Sequence, residues 1–159
     1  MAFFDQFVYF MQQPQALNVP DFTLPIWLKK INQKLPQTPH AYLLCTALNW
    51  AIKKGILPFD DLQTLNHHTF CVEMLDGGTS AFFTFDGTKF HPIQEKSAQV
   101  YFKAKCAGFL QLLLRQEDPD TLFFKRKLQL EGETELGLFI KNMLDSVEMP
   151  KIKMPGFSQ

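Results

Sequence analysis

DPDTLFFKRKLQLEGETELGLFIKNMLDSVE, residues 118–148, decides the fold. Within it Leu128 and Leu130 alternate with Lys127, Gln129 and Glu131, the two-residue period of a short strand, and Gly132 then turns the chain. From there Leu136, Phe139, Ile140, Met143, Leu144 and Val147 fall at i, i+3, i+4, i+7, i+8 and i+11, the strongest helical pattern in the sequence. The carboxylates around this unit, Glu131, Glu133, Glu135, Asp118 and Asp120, flank turns and a helix start, where acids stabilise the helix dipole. They need no catalytic reading.

Working back toward the N-terminus, Cys106, Phe109, Leu110, Leu113 and Leu114 line a helix over 106–114 that ends before Asp118-Pro119. Val100, Phe102 and Ala104 mark a strand before it. Further upstream Phe70, Val72 and Met74 alternate with Cys71 and Glu73, and Asp76-Gly77-Gly78 makes a turn into a strand over 79–85. Asp86-Gly87 is a preferred pair for a two-residue hairpin loop, and a third strand runs from Thr88 to about Ile93, with Pro92 suggesting a sheet edge. Ahead of these strands stands a punctuated helix. Thr38 suits its cap and Pro39 its first position; Ala41, Leu44, Cys45, Leu48 and Ile52 form one face, and Gly55 ends it. Asp60 starts a short second helix through Leu65. The class is α+β: a five-stranded, mostly antiparallel sheet covered by helices.

Residues 1–39 differ in character. They hold five of the ten prolines and only five charges, so an irregular arm wrapped on the domain is expected there. Phe3, Phe4, Phe7, Val8 and Met11 have helical spacing at its start; such a helix either packs on its own domain or touches a membrane or partner. The organisation is then an arm (1–39), a domain (40–148) and a short tail (149–159).

Composition narrows the function. The chain of 159 residues is 46% hydrophobic, enough for one sizeable core. Sixteen basic and sixteen acidic residues cancel, which argues against nucleic acid as a partner. Cys45, Cys71 and Cys106 are odd in number and sit in apolar segments, as buried thiols in a reducing compartment do. The sequence shows no GxSxG elbow, and no CxxC or HExxH spacing; His67-His68 is the only histidine pair, and adjacent residues do not face one another. The opening residues lack the basic start and cleavage site of a signal peptide, and no apolar run reaches about 18 residues. A soluble or at most peripheral protein is expected. Seventeen phenylalanines remain to be explained, by a greasy core or by apolar surface reserved for a ligand. Lys125, Arg126 and Lys127 beside Phe123-Phe124 form either a solvated turn or a contact for an anionic head group.

The run 118–148 resembles the C-terminal signature of sterol carrier protein type 2 domains, in which a loop, a phenylalanine, a short strand, an EG turn and an amphipathic helix follow in this order. The strand and helix of 98–115 and the hairpins of 69–93 fit the same order, so the resemblance covers roughly 60–148. Within it, DPDTLFF followed by basic residues and then EG-x-TELGL-x-x-KN is similar to the bacterial accessory factors for oxygen-independent ubiquinone biosynthesis. The resemblance implies a hydrophobic tunnel between sheet and helices, no catalytic residues and no cofactor. Its implied contents are prenylated quinone precursors or, in a general carrier, phospholipids or fatty acyl chains. It also implies an iron–sulfur hydroxylase pair as protein partner and a cytoplasmic location, at most peripheral at the inner membrane. The motif and its apolar face mark Phe123, Phe124, Leu136, Phe139, Ile140 and Met143 as cavity-lining candidates; periodicity adds Leu110, Leu113 and Leu114.

Overall fold

The computed structural model describes residues 5–6, 19–36, 38–94, 96–113 and 116–147. An extended stretch, 19–25, leads into α1 (Ile26–Asn32) and α2 (Thr38–Lys53). A short α3 (Phe59–Leu62) follows and runs on as a 3-10 turn over Gln63–Leu65. Strands β1 (Thr69–Met74), β2 (Thr79–Phe85), β3 (Phe90–Pro92) and β4 (Val100–Ala104) come next. The chain closes with α4 (Cys106–Leu113), α5 (Pro119–Phe124), β5 (Leu128–Gly132) and α6 (Thr134–Ser146).

The strands form one sheet in the order β3-β2-β1-β4-β5. β1 with β2, β2 with β3, and β4 with β5 are antiparallel, whereas β1 and β4 run parallel in the centre, with Phe70 opposite Val100 and Val72 opposite Phe102. The parallel pair exists because the chain leaves the edge strand β3 and must pass β2 and β1 to place β4. That crossing is tied at both ends: Ile93 N–H donates to the Phe82 carbonyl (3.0 Å) and Gln99 N–H to the Thr69 carbonyl (3.0 Å). The β2–β3 loop sits one residue beyond the Asp86-Gly87 pair. Asp86 N–H donates to the Lys89 carbonyl, which leaves Gly87 and Thr88 as the loop residues. The Asp86 carboxylate turns back to accept from Thr88 N–H and Lys89 N–H, both at 2.8 Å.

One face of the sheet carries the core, and it uses up much of the phenylalanine surplus. Phe70 meets Phe83 (5.6 Å between ring centres), Phe83 meets Phe90 (5.7 Å), and Phe90 meets Phe85 (4.9 Å). Each such ring contributes about 1.5–3 kcal/mol by leaving water. Cys45 from α2, Leu57, Leu62 and Leu65 from the short turns, and Leu136, Ile140 and Met143 from α6 close over them. α2 lies over β2 and β3, where Asn49 exchanges two hydrogen bonds with the Phe90 backbone (3.0 and 2.7 Å). α6 lies over β5 and against α5. A second, smaller cluster of Ala104, Leu122 and Leu128, with Phe109, Leu112 and Phe123 packed on it, joins α4 and α5 to the strand ends.

Two helices depart from expectation. α5 begins where the sequence reads as the end of a preceding helix: Asp118 caps it by accepting from Thr121 N–H (2.6 Å), and Pro119 occupies its first position. α1 fits its seven residues between Pro25 and Pro36, so the proline-rich arm is helical there rather than irregular.

The stretch before α1 is a polar strap. Gln111, fully buried, donates to the Val19 carbonyl (3.1 Å) and to Asp21 (3.0 Å); Lys127 pairs with Asp21 at 2.8 Å, and Gln116 exchanges hydrogen bonds with Val19. The bond from Lys127 holds the Asp21 carboxyl below its usual range, so the pair stays charged at neutral pH. Further on, buried Asp76 in the β1–β2 turn accepts from Leu24 N–H and from Cys106 N–H, both at 2.9 Å, and so ties the strap to the first turn of α4. Asp76→Ala strands two backbone donors at once. It should lower stability by about 2–3 kcal/mol, read as a shift of the urea unfolding midpoint with unchanged slope.

Candidate functional site

The apolar periodicities of α2 and α6 place both helices on one sheet face, but on different halves of it. α2 covers β2 and β3 and α6 covers β5, so the two helices pack chiefly on the sheet rather than on each other. Both helices pack on one shared core, in which Phe70 of β1 and Val100 and Phe102 of β4 are buried, and the margin of that core forms an apolar seam. Its walls are apolar side chains that are packed against the core yet only half-buried: Leu44, Leu48 and Ile52 from α2, Val72 from β1, Leu130 from β5, and Phe139, Leu144 and Val147 from α6. Half-burial matters here. A well-packed core closes over residues of this size, whereas a surface that receives an apolar ligand keeps them accessible.

The cavity-lining candidates separate in the structure. Leu136, Ile140 and Met143 are buried in the main core and Phe139 lies half-buried at its margin, so four of them come together on α6. Phe123 packs instead on the satellite cluster. Leu110 is half-buried on α4. Leu113 is 49% exposed and Phe124 90% exposed. Leu114 lies outside the described residues, as do Phe3, Phe4, Phe7, Val8 and Met11 and the tail 149–159. Leu44, Leu48 and Ile52 belong to the seam although their helical spacing alone marks them as core; a second clue was needed, namely which half of the sheet α2 covers.

The chemistry available around the seam is that of apolar contact. Burial pushes the Cys45 thiol up to about 11 and the Cys71 thiol to about 12, and it also raises Cys106. All three therefore hold their protons at neutral pH and are poor nucleophiles there. His67 adopts a left-handed backbone, and His68 Nδ1 lies 2.9 Å from the Asn66 carbonyl. His91 pairs with Asp86 beside the β2–β3 loop. Among the described residues, no group of three or more His, Cys, Asp or Glu side chains is arranged to hold a metal ion. Nor is any helix among them long and apolar enough to cross a membrane.

Residues 59–145, which span α3 to nearly the end of α6, match the model of the SCP-2 sterol transfer family. The ubiquinone biosynthesis accessory factor UbiT of Escherichia coli strain K12 is 32% identical over 139 residues, 87% of this chain and 73% of that protein. Among solved structures, a UbiJ-SCP2 ubiquinone synthesis protein aligns with a TM-score of 0.49 at 16% identity, covering 71% of this chain and 100% of its own. The sterol carrier protein domain 2 of Helicoverpa armigera aligns with a TM-score of 0.48 at 11% identity, covering 74% of this chain and 92% of its own.

Proposed function

The chain belongs to the SCP-2 sterol transfer family, and from that premise we propose that it is a non-catalytic, lipid-binding accessory factor for ubiquinone biosynthesis. The observation that carries the proposal is the 32% identity to UbiT over most of the chain. The half-buried apolar seam between α2 and α6 supports it with a place for the ligand. In this reading the seam opens into a hydrophobic tunnel holding a prenylated quinone precursor. A polyprenyl tail gains roughly 25 cal/mol for each Å² removed from water, and the ring needs few polar partners. Retention without turnover is what such a lining does: it offers apolar contact area and carries no nucleophile of its own. The oxygen-independent branch of the pathway, with its iron–sulfur hydroxylase pair as protein partner, is the setting we assign, in the cytoplasm beside the inner membrane.

Lipids extracted from the purified protein and identified by mass spectrometry test the reading. Prenylated phenols are the expected result. Phospholipids or fatty acids alone would overturn the quinone assignment and make the protein a general acyl-lipid carrier.

A further inference from the structure

We propose that a cavity on the reverse face of the sheet, walled by the connection between α1 and α2, is a second binding site for a small carboxylate with an apolar, planar body. The inference goes beyond the ligand-holding role and stands without it. Core and seam share one face of the sheet, the face of Phe70 and Val72 on β1 and of Phe83 and Phe85 on β2. Phe82 alternates with Phe83 and so stands on the other face, in register with Cys71. Its ring meets Tyr101 edge to face, 6.3 Å between ring centres. Ile93 N–H donates to the Phe82 carbonyl, which sets Ile93 beside it. α2 reaches round from the core side at the edge strand β3, where Asn49 holds the Phe90 backbone. Ala41, about two turns earlier on α2, lines the cavity together with Phe82.

The cavity measures about 340 Å³, at the small end of the range for ligand sites. Its floor is apolar: Phe82 and Ala41 are buried and Ile93 is half-buried. Leu35 and Pro36 add an apolar wall, on which Leu35 stays 50% exposed. The volume suits a compact body of one or two rings and not a long acyl or prenyl chain. Flat surfaces from Phe82 and Pro36 favour a planar ring over a short chain.

Charge names the ligand's polar end. The polar side chains lining the cavity are the amides of Gln33 and Gln94 and the ammonium of Lys96; none of the lining residues is acidic. Lys96 has no carboxylate partner among the described residues, and neither has Lys34, the neighbour of Gln33. The connection that forms the wall belongs to a run, residues 22–59, with five lysines and no carboxylate, in a chain whose charges otherwise cancel. Two amide donors and an unpaired ammonium above an apolar floor complement a carboxylate whose remainder is apolar. A metal cation would find no anionic ligand there.

The test titrates the full-length, isotope-labelled protein with naphthoate and follows its backbone amides by NMR. Saturable shifts are expected at Ala41, Phe82, Ile93 and Gln94, half-complete at about 1 mM, and none at Leu48, Phe139 or Leu144 in the seam. Prior loading with oleate, which is too long for this cavity, should leave those shifts in place. Naphthamide, the neutral counterpart, should bind about 5-fold more weakly. Lys96→Glu should weaken naphthoate binding about 10-fold and Lys96→Gln about 3-fold, and Leu35→Ser should also cost about 3-fold. Positions 35 and 96 are exposed, and circular dichroism confirms that the variants are folded. Shifts centred on the seam residues, or displacement of naphthoate by oleate, would place the probe in the seam and overturn the proposal. Equal affinity for naphthamide, or unchanged affinity in Lys96→Glu, would remove the carboxylate and equally overturn it. So would the absence of saturable shifts up to about 10 mM.

Discussion

Replacing Gly132 with alanine is expected to remove about 4 kcal/mol or more of unfolding free energy, while Gly55→Ala removes only about 1 kcal/mol. Both glycines have left-handed backbones, with φ of +110° and +70°. Only one of them is crowded. A Cβ on Gly132 would stand 2.0 Å from the Gln99 carbonyl oxygen and 3.2 Å from the Val100 Cα, and neither is a flexible side-chain end that could swing aside. That same oxygen accepts from Glu133 N–H (2.9 Å), and Gln99 N–H ties the β3–β4 crossing to Thr69. A shift large enough to relieve the clash therefore pulls on the β4–β5 ladder and on the crossing that makes β4 parallel to β1. Around Gly55 nothing lies within 4 Å, so the backbone conformation alone is penalised. Urea unfolding of the two variants side by side checks the contrast. Equal losses would show that the close approach at Gln99 is not why residue 132 is glycine.

The parts of this fold that follow from local pattern are those whose period and punctuation agree. β5 and α6 read off residues 127–147 because the apolar period changes from two to 3.6 at Gly132, and α2 reads off because Gly55 follows its last periodic residue. The parallel pairing of β1 and β4 has no local signature. It depends on where the 93–99 connection delivers the chain, and every strand looks the same to its own residues whichever neighbour it takes. α1 is hidden for another reason: proline density argues against helix, yet seven residues between Pro25 and Pro36 suffice for two turns. In α5, Asp118-Pro119 is both a stop for the preceding helix and a cap with a favoured first residue for the next. The candidate site shows the same division. Leu136, Phe139, Ile140 and Met143 share a face by periodicity, and the fold keeps them together. Phe123 and Phe124 are neighbours in sequence, but a helix turns successive side chains about 100° apart, so one packs on a cluster and the other points outward.

Phe139→Asp is expected to reduce binding of a fluorescent prenyl or fatty-acyl probe about 100-fold or more, whereas Leu138→Asp leaves it nearly unchanged. The two residues adjoin on α6 and face different surroundings. Phe139 stands half-buried in the seam and packs against the main core, while Leu138 is 53% exposed. A carboxylate at position 139 would have to shed water when an apolar chain enters, and the ring that gave contact area is gone; at position 138 it stays hydrated. Because Phe139 also touches the core, Phe139→Asp should lose some stability, so the measurement is made where circular dichroism shows the variant folded. Phe139→Leu serves as the second variant, since it keeps an apolar wall of similar reach and should retain most of the affinity. A folded Phe139→Asp protein that binds the probe at full affinity would place the ligand away from the α2–α6 seam. Equal loss in Leu138→Asp would indicate that charge anywhere on α6, rather than the lining itself, governs entry.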